Sequence, residues 1–127
     1  MYDIIKACNP LYASIIKKTD IDFFNKTIRF DLLFMENNNE SKHILEIKNY
    51  SSFLWLEKDK MTPKEYDFKE CDYYELTAIT FTNIHASSND KWLKHYLLEY
   101  NIAIEIWDSA LLIKSDTVIV DGKVFRI

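Results

Sequence analysis

Alternation of apolar and polar residues is the feature of this sequence that most constrains its fold. In residues 26–36 (KTIRFDLLFME) one side carries Ile28, Phe30, Leu32 and Phe34, whereas Arg29 and Asp31 fall on the other. A period of two matches a β-strand, whose successive side chains point to opposite faces. The pattern recurs in residues 42–49, and residues 73–83 are rich in β-branched and aromatic side chains, which favour strands. The sequence therefore predicts a strand-rich protein.

Short turn signals separate these strands. The run 37–39 (NNN) and the dipeptide 121–122 (DG) contain residues that tolerate positive φ, so each predicts a hairpin. A two-residue turn at 37 and 38 pairs residue 36 with 39, and it therefore places Arg29 opposite Glu46. The strands at the two sides of each turn are expected to be antiparallel neighbours.

Two segments are helical in pattern. Residues 2–8 predict a short helix that ends before Pro10, because proline disfavours helical geometry in the residue before it. Residues 89–100 predict the main helix, because cap residues precede an apolar stripe. These patterns together predict an α+β fold: about seven or eight strands in a mostly antiparallel sheet, barrel-like or sandwich-like, with one main helix. A chain of 127 residues has the usual length of one domain, so a single domain over 1–127 is expected.

Charge and composition exclude several classes of function. A net charge of −4 disfavours binding to nucleic acid or to an anionic membrane. The one glycine argues against a glycine-rich phosphate loop. Cys8 and Cys71 form no CxxC motif and no ligand cluster, so neither a metal nor another cofactor is expected. The sequence contains no signal-peptide pattern and no long apolar run, which predicts a cytoplasmic protein.

The sharpest catalytic candidate is an acidic pair followed by a lysine. Asp31 on one strand and Glu46-Ile-Lys48 on the next lie on the polar face of one predicted hairpin. They resemble the core of PD-(D/E)xK nucleases, although Phe30 stands where that motif has proline. The resemblance implies that the two acids hold Mg²⁺ and the lysine positions a water molecule. The alternative is a solvent-facing set of ion pairs in which Arg29 faces Glu46.

None of the three histidines lies in a catalytic or metal-binding motif. His43, His85 and His95 are scattered, and no serine or cysteine nucleophile accompanies them in a recognised pattern. His43 falls on the apolar side of its strand, which predicts a hydrogen-bonded core histidine. These observations favour a binding protein over an enzyme.

Aromatic and acidic side chains alternate in residues 64–75 (KEYDFKECDYYE). Tyrosine is enriched at the centres of protein interfaces, and carboxylates beside it complement a basic partner. Trp107 is taken as a core residue by default, but its parity is opposite to that of the isoleucines of residues 102–106, so an exposed tryptophan on a sheet face is the alternative and a second interface candidate. The alternative for residues 64–75 is a charged loop with partly buried aromatic rings. The predicted partner-binding residues are Tyr66, Asp67, Glu70, Asp72, Tyr73, Tyr74 and Trp107.

Four stretches carry a resemblance in the order of strands and turns: PLYASIIKKTDIDFFNKTIRFDLLF, HILEIKNYSSFLWLEK, YYELTAITFT and NIAIEIWDSALLIK. This order resembles small bacterial immunity proteins of polymorphic or contact-dependent toxin systems. The resemblance implies a cytoplasmic, non-catalytic protein that blocks a cognate toxin by tight contact, with acidic surface against a basic toxin domain. A metal-dependent nuclease and a small-ligand-binding β-barrel with a closed apolar cavity remain the alternatives.

Overall fold

Nine strands form one sheet of antiparallel neighbours in the computed structural model, which describes residues 2–57, 73–82 and 99–127. The order across the sheet is β4-β7-β6-β5-β1-β2-β3-β8-β9. A helix α1 (Tyr2–Cys8) and a 3-10 turn (Asn9–Leu11) precede it. The strands are β1 (Ser14–Asp22), β2 (Thr27–Glu36), β3 (Asn39–Lys48), β4 (Ser52–Leu56), β5 (Tyr74–Phe81), β6 (Ile102–Ile106), β7 (Ser109–Lys114), β8 (Thr117–Val120) and β9 (Lys123–Arg126).

The predicted turns at 37–38 and 121–122 are confirmed. Asn37 and Asn38 have φ values of 49° and 67° and join β2 to β3, so that Arg29 lies opposite Glu46 as expected. The turn at 121–122 joins β8 to β9, with a φ of 84° at its glycine. Both turns use residues that adopt positive φ at low cost, and this sets the register of the flanking strands.

Two short connections require the sheet to fold back on itself. β3 is seventh in the sheet and β4 is first, yet only residues 49–51 join them. Strands six positions apart would lie roughly 29 Å apart in a flat sheet, whereas this connection spans at most about 15 Å. Residues 115–116 join β7 to β8 across the same gap. The curled sheet therefore encloses a core, in which Phe30 and Ile104 are 1% and 0% exposed.

The predicted α+β class overstates the helix content. In the described ranges the structure is mostly antiparallel sheet with one short α-helix, α1. Most of the main helix predicted at 89–100 lies outside the described residues. The sheet is curled but not closed, because the end strands β4 and β9 do not pair with each other. Among the described residues, no helix combines the length and apolar character that crossing a membrane requires.

Sequence pattern alone does not assign β4. Residues 52–57 (SFLWLE) are an apolar run too short for periodicity to distinguish strand from helix. The structure pairs this run with β7 from Ser52 to Leu56. Apolar residues occur on both of its faces because one face packs on the main core and the other lies over Ala103, Ala110 and Leu112.

Candidate functional site

Two of the predicted partner-binding residues, Tyr73 and Trp107, meet at one end of the sheet, and Tyr74 follows Tyr73 in the chain. The rings of Tyr73 and Trp107 lie 6.1 Å apart between centroids with an interplanar angle of 37°. Tyr73 is 44% exposed and Tyr74 is 65% exposed. We call Tyr73, Tyr74 and Trp107 the aromatic cluster. Its two tyrosines offer a partner exposed ring surface and two hydroxyl groups.

The sheet holds the tyrosines of the aromatic cluster at the start of β5. Tyr74 pairs with Ile16 of β1, and two residues further along, Leu76 is completely buried. Because the strand enters the core within these few residues, the backbone beneath the tyrosines is fixed while their rings face solvent. Two carboxylates adjoin the cluster in sequence, Glu75 and Asp108, and they give its surroundings acidic character.

Trp107 forms the base of the aromatic cluster rather than its most exposed member. It lies in the turn between β6 and β7 with a φ of 54°, and its backbone N–H donates to Oγ1 of Thr77 at 3.0 Å. Its ring packs against the main core and is only partly exposed. The sequence left open whether this ring lies in the core or is exposed on a strand. In the structure β6 ends at Ile106, and Trp107 lies in the turn that follows, with its ring against the core.

The backbone of Trp107 is held in an unfavourable conformation. Positive φ costs a residue with a Cβ atom about 1–2 kcal/mol, and it is uncommon for a bulky side chain. In addition, the buried indole Nε1 has no hydrogen-bond partner among the described residues. Such costs persist only where surrounding contacts impose them, and they concentrate at functional positions. The remaining predicted binding residues, Tyr66, Asp67, Glu70 and Asp72, lie outside the described residues.

Arg29 lies beside both acids of the nuclease alternative, Asp31 and Glu46. Nε of Arg29 lies 3.0 Å from Oδ1 of Asp31, and this hydrogen bond raises the pKa of the guanidinium. Arg29 also lies opposite Glu46, whereas Lys48 lies opposite Thr27. Within the described ranges, no three His, Cys, Asp or Glu side chains are grouped so that they could hold a metal. This arrangement matches the ion-pair alternative, and the nuclease stays a prediction without structural support.

A histidine–aspartate contact links β3 to the turn between β8 and β9. Nδ1 of His43 lies 2.7 Å from Oδ2 of Asp121, and Oδ1 of the same carboxylate accepts the N–H of Ile44 at 2.7 Å. His43 is therefore hydrogen-bonded, as its place on the apolar side of β3 predicted, although it lies at the margin of the core. The turn was predictable from local residues, but the contact was not, because His43 and Asp121 are 78 positions apart.

A cleft of about 980 Å³ lies at the end of the sheet opposite the aromatic cluster. Mostly polar residues line it, several of them from the β3–β4 and β7–β8 connections, together with Tyr100 and Ile127. Asn101 fixes one wall, because its side-chain amide donates to the carbonyl of Ser115 at 2.6 Å and accepts from the N–H of Ser115 at 3.0 Å. An open cleft lined mostly by polar residues differs from the closed apolar cavity that the ligand-binding alternative predicts.

In its described part the chain is therefore a curled, mostly antiparallel sheet with an exposed aromatic cluster at one end. The family model described as YxiG-like protein matches residues 4–125. The match covers nearly the whole chain, so this protein belongs to the YxiG-like family. No curated protein matches the sequence.

Proposed function

We propose that this protein is a non-catalytic binding protein of the immunity type, which inhibits a cognate bacterial toxin in the cytoplasm. The observation that carries the binding function is the aromatic cluster, in which Tyr73 and Tyr74 are 44% and 65% exposed. Together the two rings expose roughly 200 Å². Burying this surface is worth about 5 kcal/mol before the costs of association are subtracted.

The charge of the chain supports a basic partner. The net charge is −4, and Glu75 and Asp108 adjoin the aromatic cluster in sequence. Acidic surface raises the rate of encounter with a basic protein and disfavours acidic ones. Toxins that act on nucleic acid need a basic cleft to bind their substrate, so an acidic, tyrosine-bearing surface is suited to occlude such a cleft.

In the proposed mechanism the protein covers the cleft of its partner and catalyses no reaction. Tyr73 and Tyr74 would be desolvated against the partner, while Trp107 keeps their backbone in place from below. Tyrosine loses little conformational entropy on binding because its side chain has two rotatable angles. The immunity assignment itself is supported by the order of strands and turns that resembles immunity proteins, and by the acidic balance of the chain.

The first experiment identifies the partner and then tests the surface. We expect the tagged protein to retain one stoichiometric partner from cells that encode a candidate toxin beside this chain, through a high-salt wash. With that purified partner, Tyr73→Ala with Tyr74→Ala should weaken binding by at least about 30-fold, the value for a hot spot of 2 kcal/mol. Phe24→Ala is the matched control, because Phe24 is 96% exposed at the opposite end of β1.

Two outcomes separate the parts of this proposal. Equal affinity of the double variant and the Phe24→Ala control would show that the aromatic cluster is not the binding surface. Tight binding that leaves the partner's toxic activity unchanged would refute inhibition while keeping the binding function. Recovery of the protein outside the cytoplasmic fraction of its native cells would contradict the proposed location.

Charge reversal tests the acidic part of the same proposal. Asp67, Glu70 and Asp72 shortly precede Tyr73 in the sequence. Replacing all three by lysine should lower the association rate for a basic partner, and added salt should reduce the difference from wild type. Unchanged association at low salt would remove these residues from the interface.

A further inference from the structure

The two edge strands of the sheet differ in their protection against pairing with another chain. In β9 (KVFR) two of four residues are cationic, and Nζ of Lys123 lies 5.3 Å from the centre of the Phe125 ring. In β4 (SFLWL) no residue is charged. Charged side chains on an edge strand discourage a further strand from pairing there, and an uncharged apolar edge invites it. Charge therefore guards β9, whereas β4 has only β7 as a strand neighbour within residues 2–57, 73–82 and 99–127, so its other edge can accept a partner strand.

Exposed aromatic rings lie beside β4. Phe23, in the turn between β1 and β2, stacks on Phe53 of β4 with 6.1 Å between ring centroids. Phe23 nevertheless remains 67% exposed, the adjacent Phe24 is 96% exposed, and Trp55 of β4 is 43% exposed. The edge thus combines an uncharged strand with an apolar surface next to it.

The turn that carries these phenylalanines is held by one carboxylate. Oδ1 of Asp22 accepts the N–H of Phe24 at 3.1 Å and that of Asn25 at 3.0 Å, and Oδ2 accepts from the Asn25 side chain at 2.8 Å. These hydrogen bonds lower the pKa of Asp22, and the one from the Asn25 backbone has the largest effect. The aromatic surface is therefore presented on an ordered turn, which reduces the entropy lost on association.

We propose that β4 is the seam of a symmetric homodimer, in which two copies of β4 pair antiparallel about Leu54. In this register Phe53 lies opposite Trp55 of the second copy, and the symmetry produces the same pair twice. Aromatic cross-strand pairs stabilise antiparallel strands. Trp55 of the second copy would also cover the exposed stack of Phe23 on Phe53. No like charges are opposed, since β4 has no charged residue.

The exposed area is consistent with a second copy as the occupant. Phe23, Phe24 and Trp55 together expose roughly 400 Å², which is about half of the 800 Å² per partner in a typical stable interface. The backbone and remaining side chains of a five-residue strand add to this area. A β4 seam would join the two nine-stranded sheets into one continuous sheet.

Sedimentation velocity over a range of concentrations tests the dimer. We expect wild type to sediment with twice the mass of the 15.2 kDa chain. Trp55→Lys should weaken the dimer by more than about tenfold, because it places a lysine on the edge opposite Phe53. Val124→Lys is the matched control: Val124 is 54% exposed on the guarded edge β9, so this variant should remain dimeric.

Hydrogen exchange gives a second measurement that needs no substitution. Amide protection in β4 should rise with protein concentration, and protection in β9 should not. This result would support the seam even where Trp55→Lys fails to fold. Ordinary stable dimers have a Kd far below about 100 µM. Wild-type protein that is still monomeric at this concentration would therefore overturn the proposal. A dimer that Trp55→Lys leaves intact, with concentration-independent exchange in β4, would overturn it as well.

Discussion

Asp121 is expected to stabilise the fold in two ways that substitution can separate. Its carboxylate bridges β3, because Oδ1 accepts the N–H of Ile44 and Oδ2 lies beside Nδ1 of His43, each at 2.7 Å. Its backbone has a φ of 49°, which glycine adopts without cost and alanine does not. Asp121→Gly removes the side-chain contacts and also relieves the backbone strain. Asp121→Ala removes them and also leaves a Cβ atom in the left-handed region.

The structure sets the size of each effect. Hydrogen bonds to a charged group are worth about 1.5–3 kcal/mol when buried, but the Asp121 side chain is 46% exposed. The two contacts should therefore contribute about 2 kcal/mol together, at the lower end of that range. Asp121→Gly recovers about 1 kcal/mol of backbone strain, so its net loss should be about 1 kcal/mol. Asp121→Ala should lose at least about 2 kcal/mol.

Urea unfolding followed by circular dichroism measures these differences, provided that the transition is two-state. Gly122→Ala is the control for backbone strain alone, because Gly122 has a φ of 84° and an added Cβ atom would contact nothing within 4 Å. A double-mutant cycle with His43→Ala isolates the contribution of the histidine. Equal stability of Asp121→Gly, Asp121→Ala and wild type would refute both roles.

Three further predictions concern the core and the base of the aromatic cluster. Phe30→Ala should cost about 3–5 kcal/mol in urea unfolding, because Phe30 is 1% exposed; a loss below about 1 kcal/mol would contradict its place in the core. Burial raises the pKa of Cys8 to about 12, so in a Cys71→Ser variant the native thiol should resist alkylation at about pH 8 and react on unfolding. As the pH rises, the thiol ionises in the unfolded chain before it ionises in the folded protein. The free energy of unfolding should therefore fall by about 1.4 kcal/mol per pH unit between about pH 9 and 12, relative to the Cys8→Ala variant. The same pH dependence in both proteins would contradict this. Trp107→Phe removes a buried N–H without a described partner and should raise the melting temperature or leave it unchanged; a large drop would show that Nε1 is hydrogen-bonded.

Local pattern was sufficient for most strands and for the register of two hairpins. The alternation in β2 and β3 and the asparagines between them fixed both the buried face and the pairing of Arg29 with Glu46. This worked because a period of two and a positive-φ turn are properties of neighbouring residues. Tyr73 and Tyr74 were named from the interleaving of aromatic and acidic residues in 64–75; the structure shows that both are exposed, and their role in binding stays a prediction.

Contacts between distant parts of the chain could not be read from the sequence. The curl of the sheet depends on the short β3–β4 and β7–β8 connections, whose effect appears only once the strand order is known. The meeting of Trp107 with Tyr73 has the same origin, since their strands pair through tertiary structure. The orientation of Trp107 could not be decided from the sequence either, because a single residue at a strand end decides whether alternation continues or a turn begins.

The proposed dimer and the proposed partner site can operate together. Leu54, the centre of the seam, lies opposite Leu112 of β7, and Trp107 precedes Leu112 by five positions in the same hairpin. At about 3.3 Å per residue, Trp107 lies roughly 16 Å from the symmetry axis along the strand direction. Because the copies run antiparallel, the two aromatic clusters lie on opposite sides of the axis, about 30 Å apart along that direction. The seam therefore leaves both clusters open, and a complex of two copies with two partner molecules is expected. A complex with one partner per dimer would mean that the partner spans the axis or that the first molecule blocks the second, and light scattering of the purified complex distinguishes these stoichiometries.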